Sequence, residues 1–403
     1  MPSESQASRG ADAPRSASGG PTSGATSGPT SGATSGASGG PTSGPTSGAT
    51  GAGRSARARG RGRWRRRLGA LFLGLGLPLL ALEIGVRVVH GNPVQQRTPL
   101  QLVEADAATG WRMVPSRDFF TYAAPVSVNA LGLRGPEVRP RAEGELRVVA
   151  LGDSMVFGSG VRDDETLPAR LELELEQRLG RPVTVINTGH MAYSTNQELR
   201  LLFELGQELD PDLVVLFWFF NDVDEVPIEA RYAELLASGP QTFETRNAFT
   251  GWPAWKWRLR EFARHSAIVA YLRWQGENGQ RGNWSTEQVD AGFESLDAWA
   301  ANFAHTRAVL GAEPLAVVLP FAAALADDER ARAHRSHAME RRAAEIFASH
   351  GIPTFSTRPA LEGLTVELGR APHLPYDYHY DATGNAEQAR AVARWMDEVV
   401  GVE

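Results

Sequence analysis

Eight consecutive apolar residues, 213–220, followed at once by Asn221 and Asp222, constrain this chain more than any other stretch. A run of that length with no polar alternation fits a strand buried on both faces, and such strands belong to parallel sheets covered by helices on either side. Shorter apolar runs lie around it at 147–151, 183–186, 315–319 and 352–355, and helical patterns separate them. Thr166 is placed to cap a helix that carries Leu167, Leu171, Leu175 and Leu179 on one stripe, with Pro168 tolerated in its first turn. Thr195 and Glu198 form a capping-box pattern ahead of a helix that ends before Pro211. Strand and helix in alternation predict an α/β fold, a three-layer doubly wound parallel sheet.

The N-terminal part cannot join that core. Residues 21–48 repeat a Pro/Ala-Thr-Ser-Gly tetrad, too polar and flexible to bury surface, so residues 1–67 read as a disordered Thr/Ser/Gly/Pro-rich and Arg-rich tail. The chain carries −6 overall and +8 in its first 67 residues, leaving −14 for the rest. Eight of the tail's arginines fall between Arg54 and Arg67. A nucleic-acid arm would use such a block, but this one abuts an apolar run at 68–89, which as a helix spans about 33 Å, enough for a bilayer. Arginines ahead of such a run stay cytoplasmic, so it reads as a signal anchor in the inner membrane with the C-terminal bulk facing the periplasm or exterior. Its length and the lack of an Ala-x-Ala site favour an anchor over a cleaved signal. Glu83 and Arg87 lie inside the run at i,i+4, near its outer end, where they can pair or reach the interface. The chain has no Cys, which excludes disulfides, a thioether lipid anchor and thiol catalysis.

Residues 90–145 read as an irregular lead-in with short β-like pieces such as 126–129, and residues 146–403 as the α/β domain. One interval, about 223–314, far exceeds a single crossover helix and reads as an insertion. It holds Trp252, Trp255, Trp257, Trp274, Trp284 and Trp299, suited either to a lid or sugar-stacking platform or to packed core.

A doubly wound sheet presents ligands beyond the carboxyl ends of its strands. Ser154, in Gly152-Asp153-Ser154, falls three residues past the end of the first apolar run, where a tight turn can expose its Oγ. Alone it reads equally as a helix cap. A serine nucleophile needs a base. Among nine His, His90, His265, His305, His334, His337, His350 and His373 have no such context, and His190, within the stretch 187–193 near the proposed site, has no carboxylate beside it as an orienter. His379 follows Asp377 by two residues and precedes Asp381, which is placed to cap the last helix. Such a loop can fold Asp377 onto the imidazole, fixing its tautomer and stabilising the imidazolium. Asn221, directly after the most apolar strand, can offer its amide to a developing oxyanion, although it also reads as a plain turn former.

These residues together resemble the SGNH/GDSL hydrolase family: Gly152-Asp153-Ser154-Met155, residues 187–193, Asn221-Asp222 and Asp377-x-His379, over roughly residues 126–400. The lead-in Val128-Asn129-Ala130-Leu131-Gly132-Leu133-Arg134-Gly135 and the Glu83/Arg87 spacing are similar to a membrane-anchored bacterial subgroup. The resemblance implies the family's flavodoxin-like sheet and a serine esterase, or O-acyltransferase, working through an acyl-serine intermediate without metal or cofactor. It implies Ser154 as nucleophile and Asp377 and His379 as its partners. It also implies Ser154 N–H, Asn221 and the amide five residues after Asn187 as oxyanion donors. That last position is Ala192, with Gly189 the alternative, and an Ala serves there if the backbone avoids φ > 0. Phe219 and Phe220 stand where the family places Gly before Asn-Asp, and Asp-x-His replaces the commoner Asp-x-x-His. An O-acetyl ester on an envelope polysaccharide is the substrate class this location suggests. A catalytically silent, glycan-holding scaffold is the rival.

Overall fold

The computed structural model describes residues 63–223, 228–237, 242–244, 254–280, 284–325 and 334–401. The expectation for the repeat tail therefore falls outside the described residues. Five strands form the main sheet: β1 (Leu146–Leu151), β2 (Val183–Asn187), β3 (Leu213–Trp218), β4 (Glu313–Val318) and β5 (Thr354–Ser356). All pair in parallel, in the spatial order β5-β4-β3-β1-β2. Every residue of β1 and β3 is buried, which is why these two central strands show no alternation. Each of their fully buried Val and Leu side chains contributes about 1.5–3 kcal/mol relative to exposure.

Helices Leu167–Leu179 and Ala382–Val400 pack together on one side of the sheet, with Arg358–Leu368 against the second of them. Thr195–Leu209, Thr286–Phe303 and Ser336–Ser349 cover the other side. The fold is thus the expected three-layer, doubly wound α/β sandwich. Its chain direction reverses between β1 and β3, and the crevice of such a sheet opens beyond the carboxyl ends of those two strands. Thr166 and Asp381 cap their helices as expected.

Four boundaries differ from the sequence reading. The apolar run after residue 212 leaves the sheet at Trp218, because the Asp222 carboxylate accepts the Phe219 N–H at 2.9 Å and draws the chain into a 3-10 turn, Phe220–Val223. The second capping box is centred on Ser194, whose N–H is accepted by Gln197 Oε1 at 3.2 Å, one residue ahead of the Thr195/Glu198 pattern. The lead-in is less irregular than its Gly and Pro suggest. The carboxylate of Asp106 accepts the N–H groups of Ala108 and Thr109, closing a turn between the antiparallel strands Leu102–Asp106 and Gly110–Met113. A second hairpin follows, Phe119–Thr121 with Ala124–Val126. Finally, the last part of the long interval is the crossover helix itself, Thr286–Phe303, with Trp299 partly buried against the core.

One helix, Arg63–His90, is long and apolar enough to cross a membrane. Toward its end Glu83 and Arg87 pair at 2.7 Å, but their partners extend beyond each other. Glu83 also accepts the Ser266 hydroxyl and the N–H groups of Ala267 and Ile268, so it caps the helix Ala267–Gln280. Arg87 donates to the carbonyl of His265 at 2.6 Å and to Asn92 Oδ1 at 3.0 Å.

Candidate active site

Ser154 opens a four-residue helix, Ser154–Phe157, directly beyond β1. The cap of that helix is Asp153, whose Oδ1 accepts the Met155 N–H at 2.8 Å, so Ser154 itself is left with its hydroxyl unspent on capping. Gly152 is required by close approach: a Cβ there would lie 2.3 Å from Val156 Cγ2 and 3.3 Å from the Phe217 carbonyl oxygen.

Ser154 Oγ lies 2.8 Å from His379 Nε2, across 225 residues of sequence. On the other edge of the ring, His379 Nδ1 lies 2.5 Å from Asp377 Oδ1. The same carboxylate oxygen accepts the His379 N–H at 2.9 Å, which folds the Asp-x-His loop back on itself. Tyr122, from the turn of the second lead-in hairpin, donates its hydroxyl to Asp377 Oδ2. Burial alone would push the Asp377 carboxyl up, but the adjacent His379 charge and the hydrogen bonds from His379 and Tyr122 outweigh it and hold the group well below the usual carboxylate range. With Asp377 ionised, the ring proton belongs on Nδ1, leaving Nε2 as the acceptor that faces the serine hydroxyl. The site is sheltered, with Ser154 4% and His379 6% exposed.

Asn221 comes from the turn beyond β3, on the other lip of the crevice. Its Nδ2 donates to Asp153 Oδ2 at 3.0 Å, and Asp153 Oδ2 lies 3.4 Å from Ser154 Oγ. One amide hydrogen of Asn221 is spent on Asp153, and a second remains for another acceptor. Burial raises the Asp153 carboxyl, against the opposing pull of Met155 N–H, Asn221 and His379.

The second segment packs on the first. Asn187 Nδ2 donates to the Val156 carbonyl at 3.0 Å, and His190 N–H to the Gly152 carbonyl at 3.2 Å. Gly189 is a packing glycine, since a Cβ there would meet the Phe157 nitrogen at 2.3 Å. Its N–H is taken by Asn187 Oδ1 at 2.9 Å, which removes it as the alternative oxyanion donor. Ala192 is exposed, and it has φ 61°, the left-handed conformation that an alanine was expected to need to avoid. Its N–H makes no hydrogen bond among the described residues. His190 is not part of the hydroxyl–imidazole–carboxylate line. It is fully buried, stacked on Tyr193 at 4.5 Å, and its Nδ1 lies 2.9 Å from the Thr188 carbonyl. Burial lowers its pKa to about 4.

Two contributors escaped the sequence reading, and a pair already noted there takes on a role in the fold. Tyr122 gave no signal, because an aromatic residue in a hairpin carries none. Arg134 lies within the quoted lead-in motif, and its fully buried guanidinium donates to the carbonyls of Phe157, Gly158 and Val161, each at 2.7 Å, and to Asp163 at 2.8 Å. It therefore gathers the carboxyl end of the Ser154 helix. Phe219 and Phe220, where glycine was expected, form an aromatic wall. Phe219 stacks on Tyr378 at 6.2 Å, Tyr378 on His379 at 4.3 Å, and Phe220 meets Phe321 and Trp284. Among the described residues no group of His, Asp or Glu could hold a metal ion.

Neither a protein-family model nor a curated protein sequence matches the chain. Solved structures do. The acetyl xylan esterase AlAXEase is 14% identical, with 63% of this chain and 100% of that one covered at a TM-score of 0.38. The lipase/acylhydrolase from Enterococcus faecalis is 15% identical, covering 63% and 96% at 0.37. A GDSL-like lipase from Parabacteroides merdae is 13% identical, covering 66% and 100% at 0.35. A likeness this slight decides nothing about activity.

Proposed function

We propose that the chain is a serine esterase of the SGNH/GDSL type. One observation carries the reading: a hydroxyl from one segment and an imidazole and carboxylate from a loop 225 residues away stand in one hydrogen-bonded line at the crevice of the sheet, 2.8 Å and 2.5 Å apart. In this reading Ser154 Oγ passes its proton to His379 Nε2 and attacks the ester carbonyl carbon. Asp377 stabilises the imidazolium that results. The Ser154 N–H, the second Asn221 amide hydrogen and the Ala192 N–H receive the negative oxygen. The alcohol leaves with the proton from Nε2, and an acyl-Ser154 remains. Water then releases the acid, or a sugar hydroxyl takes the acyl group, each surrendering its proton to His379. Neither route calls for a metal or cofactor.

The helix Arg63–His90, with its preceding arginines, supports a single-pass anchor in the inner membrane and an α/β domain on the far side. That location, with the tryptophans of the insertion, favours an O-acetyl ester on an envelope polysaccharide as substrate. A fluorophosphonate probe tests the core of the reading. It is expected to label the full chain in detergent and to spare Ser154→Ala, with short-chain ester hydrolysis lost by about 10⁴-fold or more in the variant. Absence of labelling in the unmodified chain would leave a glycan-holding scaffold instead.

A further inference from the structure

The outer end of the apolar helix is tied to insertion helices that carry exposed apolar residues of their own. Along Ala254–Ala263, Trp255, Leu259 and Phe262 recur at helical spacing and are 63%, 62% and 75% exposed. On the next helix, Ala267–Gln280, Leu272 is 64% exposed. That second helix is tied to the apolar helix over its last two turns: Glu83 caps its start, and His90 packs on Tyr271 at 4.7 Å and on Trp274 at 6.4 Å. The segment joining the two insertion helices therefore sits at the depth of Glu83, seven residues below the apolar helix's end. Exposed basic groups, Lys256 and Arg258, flank the stripe, and Lys256 lies over the Trp255 ring at 5.6 Å. Trp, Phe and Leu on one face with Lys and Arg beside them are what a helix lying in a membrane interface requires.

We propose that the helices Ala254–Ala263 and Ala267–Gln280 form a bilayer-contacting element continuous with the anchor. It seats Trp255, Leu259, Phe262 and Leu272 at the boundary between headgroups and acyl chains. Lys256 and Arg258 meet lipid phosphates there. The occupant of the apolar face is lipid because Glu83 and His90 tie the element to the end of a helix whose own Leu79, Leu80 and Leu82, just ahead of Glu83, stand exposed. This inference rests on the anchor reading.

The arrangement has a consequence for the site. Tyr376, next to Asp377, donates its hydroxyl to the carbonyl of Gly91 at 2.9 Å, and Arg264 stands 5.8 Å over the ring of Tyr122. Tyr376 thus ties the Asp377 loop to the residue that ends the anchor helix, and Arg264, just past Ala254–Ala263, stands against the ring of the tyrosine that donates to Asp377, so anchor and element together hold the site at a set height above the lipid.

The chain has no native Cys, so a single nitroxide can be placed at will. Full-length Leu259→Cys, Phe262→Cys and Leu272→Cys would be spin-labelled in nanodiscs of phosphatidylcholine and phosphatidylglycerol. Leu75→Cys in the apolar helix and Leu173→Cys on the remote helix Leu167–Leu179 serve as references. Collision with oxygen against a water-soluble nickel chelate gives depth. Labels at 259, 262 and 272 are expected about 5–10 Å below the headgroups, shallower than position 75, while position 173 stays in water. Nickel accessibility matching position 173 overturns the proposal with the anchor intact. Shielding from both reagents overturns it in favour of a protein partner or second copy. A label at 75 in water removes the anchor and the proposal together.

Discussion

Tyr122 illustrates how one hydroxyl can act on the candidate site through a single carboxylate, Asp377. Its phenol is buried against Asp377, and burial and that neighbouring negative charge both raise its pKa, so it stays protonated and keeps donating. Tyr122→Phe removes the donor and leaves Asp377 Oδ2 buried with one partner fewer. The deficit, about 1–2 kcal/mol, falls on the group that would stabilise the imidazolium in the proposed mechanism. On the proposed mechanism, kcat/KM for a short-chain ester is expected to fall about tenfold with labelling by the fluorophosphonate retained. An unchanged kcat/KM would show that the carboxylate is held well enough without it. Ala192 is the opposite case. Here a residue sits at φ 61° where glycine would be at ease, and its N–H makes no hydrogen bond among the described residues, which leaves it for the oxyanion in the proposed mechanism.

At the scale of elements, the short helix Ser154–Phe157 is too brief to hold itself in place. Its start is fixed by Asp153, and its end by Arg134, which reaches across from the lead-in to three carbonyls and one carboxylate. Removing the guanidinium strands those carbonyls in a dry interior. Arg134→Ala is expected to lower unfolding free energy by about 3–5 kcal/mol. Arg134→Lys should recover only part, because an ammonium cannot match the planar fork. Urea unfolding of the three proteins in detergent checks both figures, and equal stability for Lys and Arg would mean that charge alone suffices. The turn beyond β3 follows a different logic. Phe219 and Phe220 replace backbone freedom with bulk, and the bulk braces Tyr378 and so the ring of His379.

For the molecule as a whole, acid stability is tied to His190. The folded chain buries this ring neutral, with its pKa lowered to about 4 from 6.5, so between those values the unfolded chain binds a proton that the folded one excludes. Stability from this group is complete above pH 6.5 and drains away as pH falls toward 4, by about 3 kcal/mol. Asn at 190 keeps a donor for the Thr188 carbonyl and cannot titrate. Unfolding free energies of wild type and His190→Asn, followed from pH 7 to pH 4, should therefore converge as pH falls. Parallel curves would place the acid sensitivity elsewhere. The contacts of Glu83 and Arg87 also belong to this scale. Two charges that look costly in an apolar run are instead the joint between that helix and the insertion.

The order of strands and helices, the caps at Thr166 and Asp381, and the choice of Ser154, His379 and Asp377 as candidates could be read from the chain alone. Each of these rests on local spacing or on a short motif, and local chemistry enforces them. Other features depend on which distant segments meet. The Asn187 carbonyl oxygen of the amide side chain silences Gly189, Tyr122 reaches Asp377 across 255 positions, Arg134 finds the end of the serine helix, and Glu83 caps a helix begun 184 residues later. A hydrogen bond between remote residues leaves no periodicity in either segment, so only the packed chain decides it.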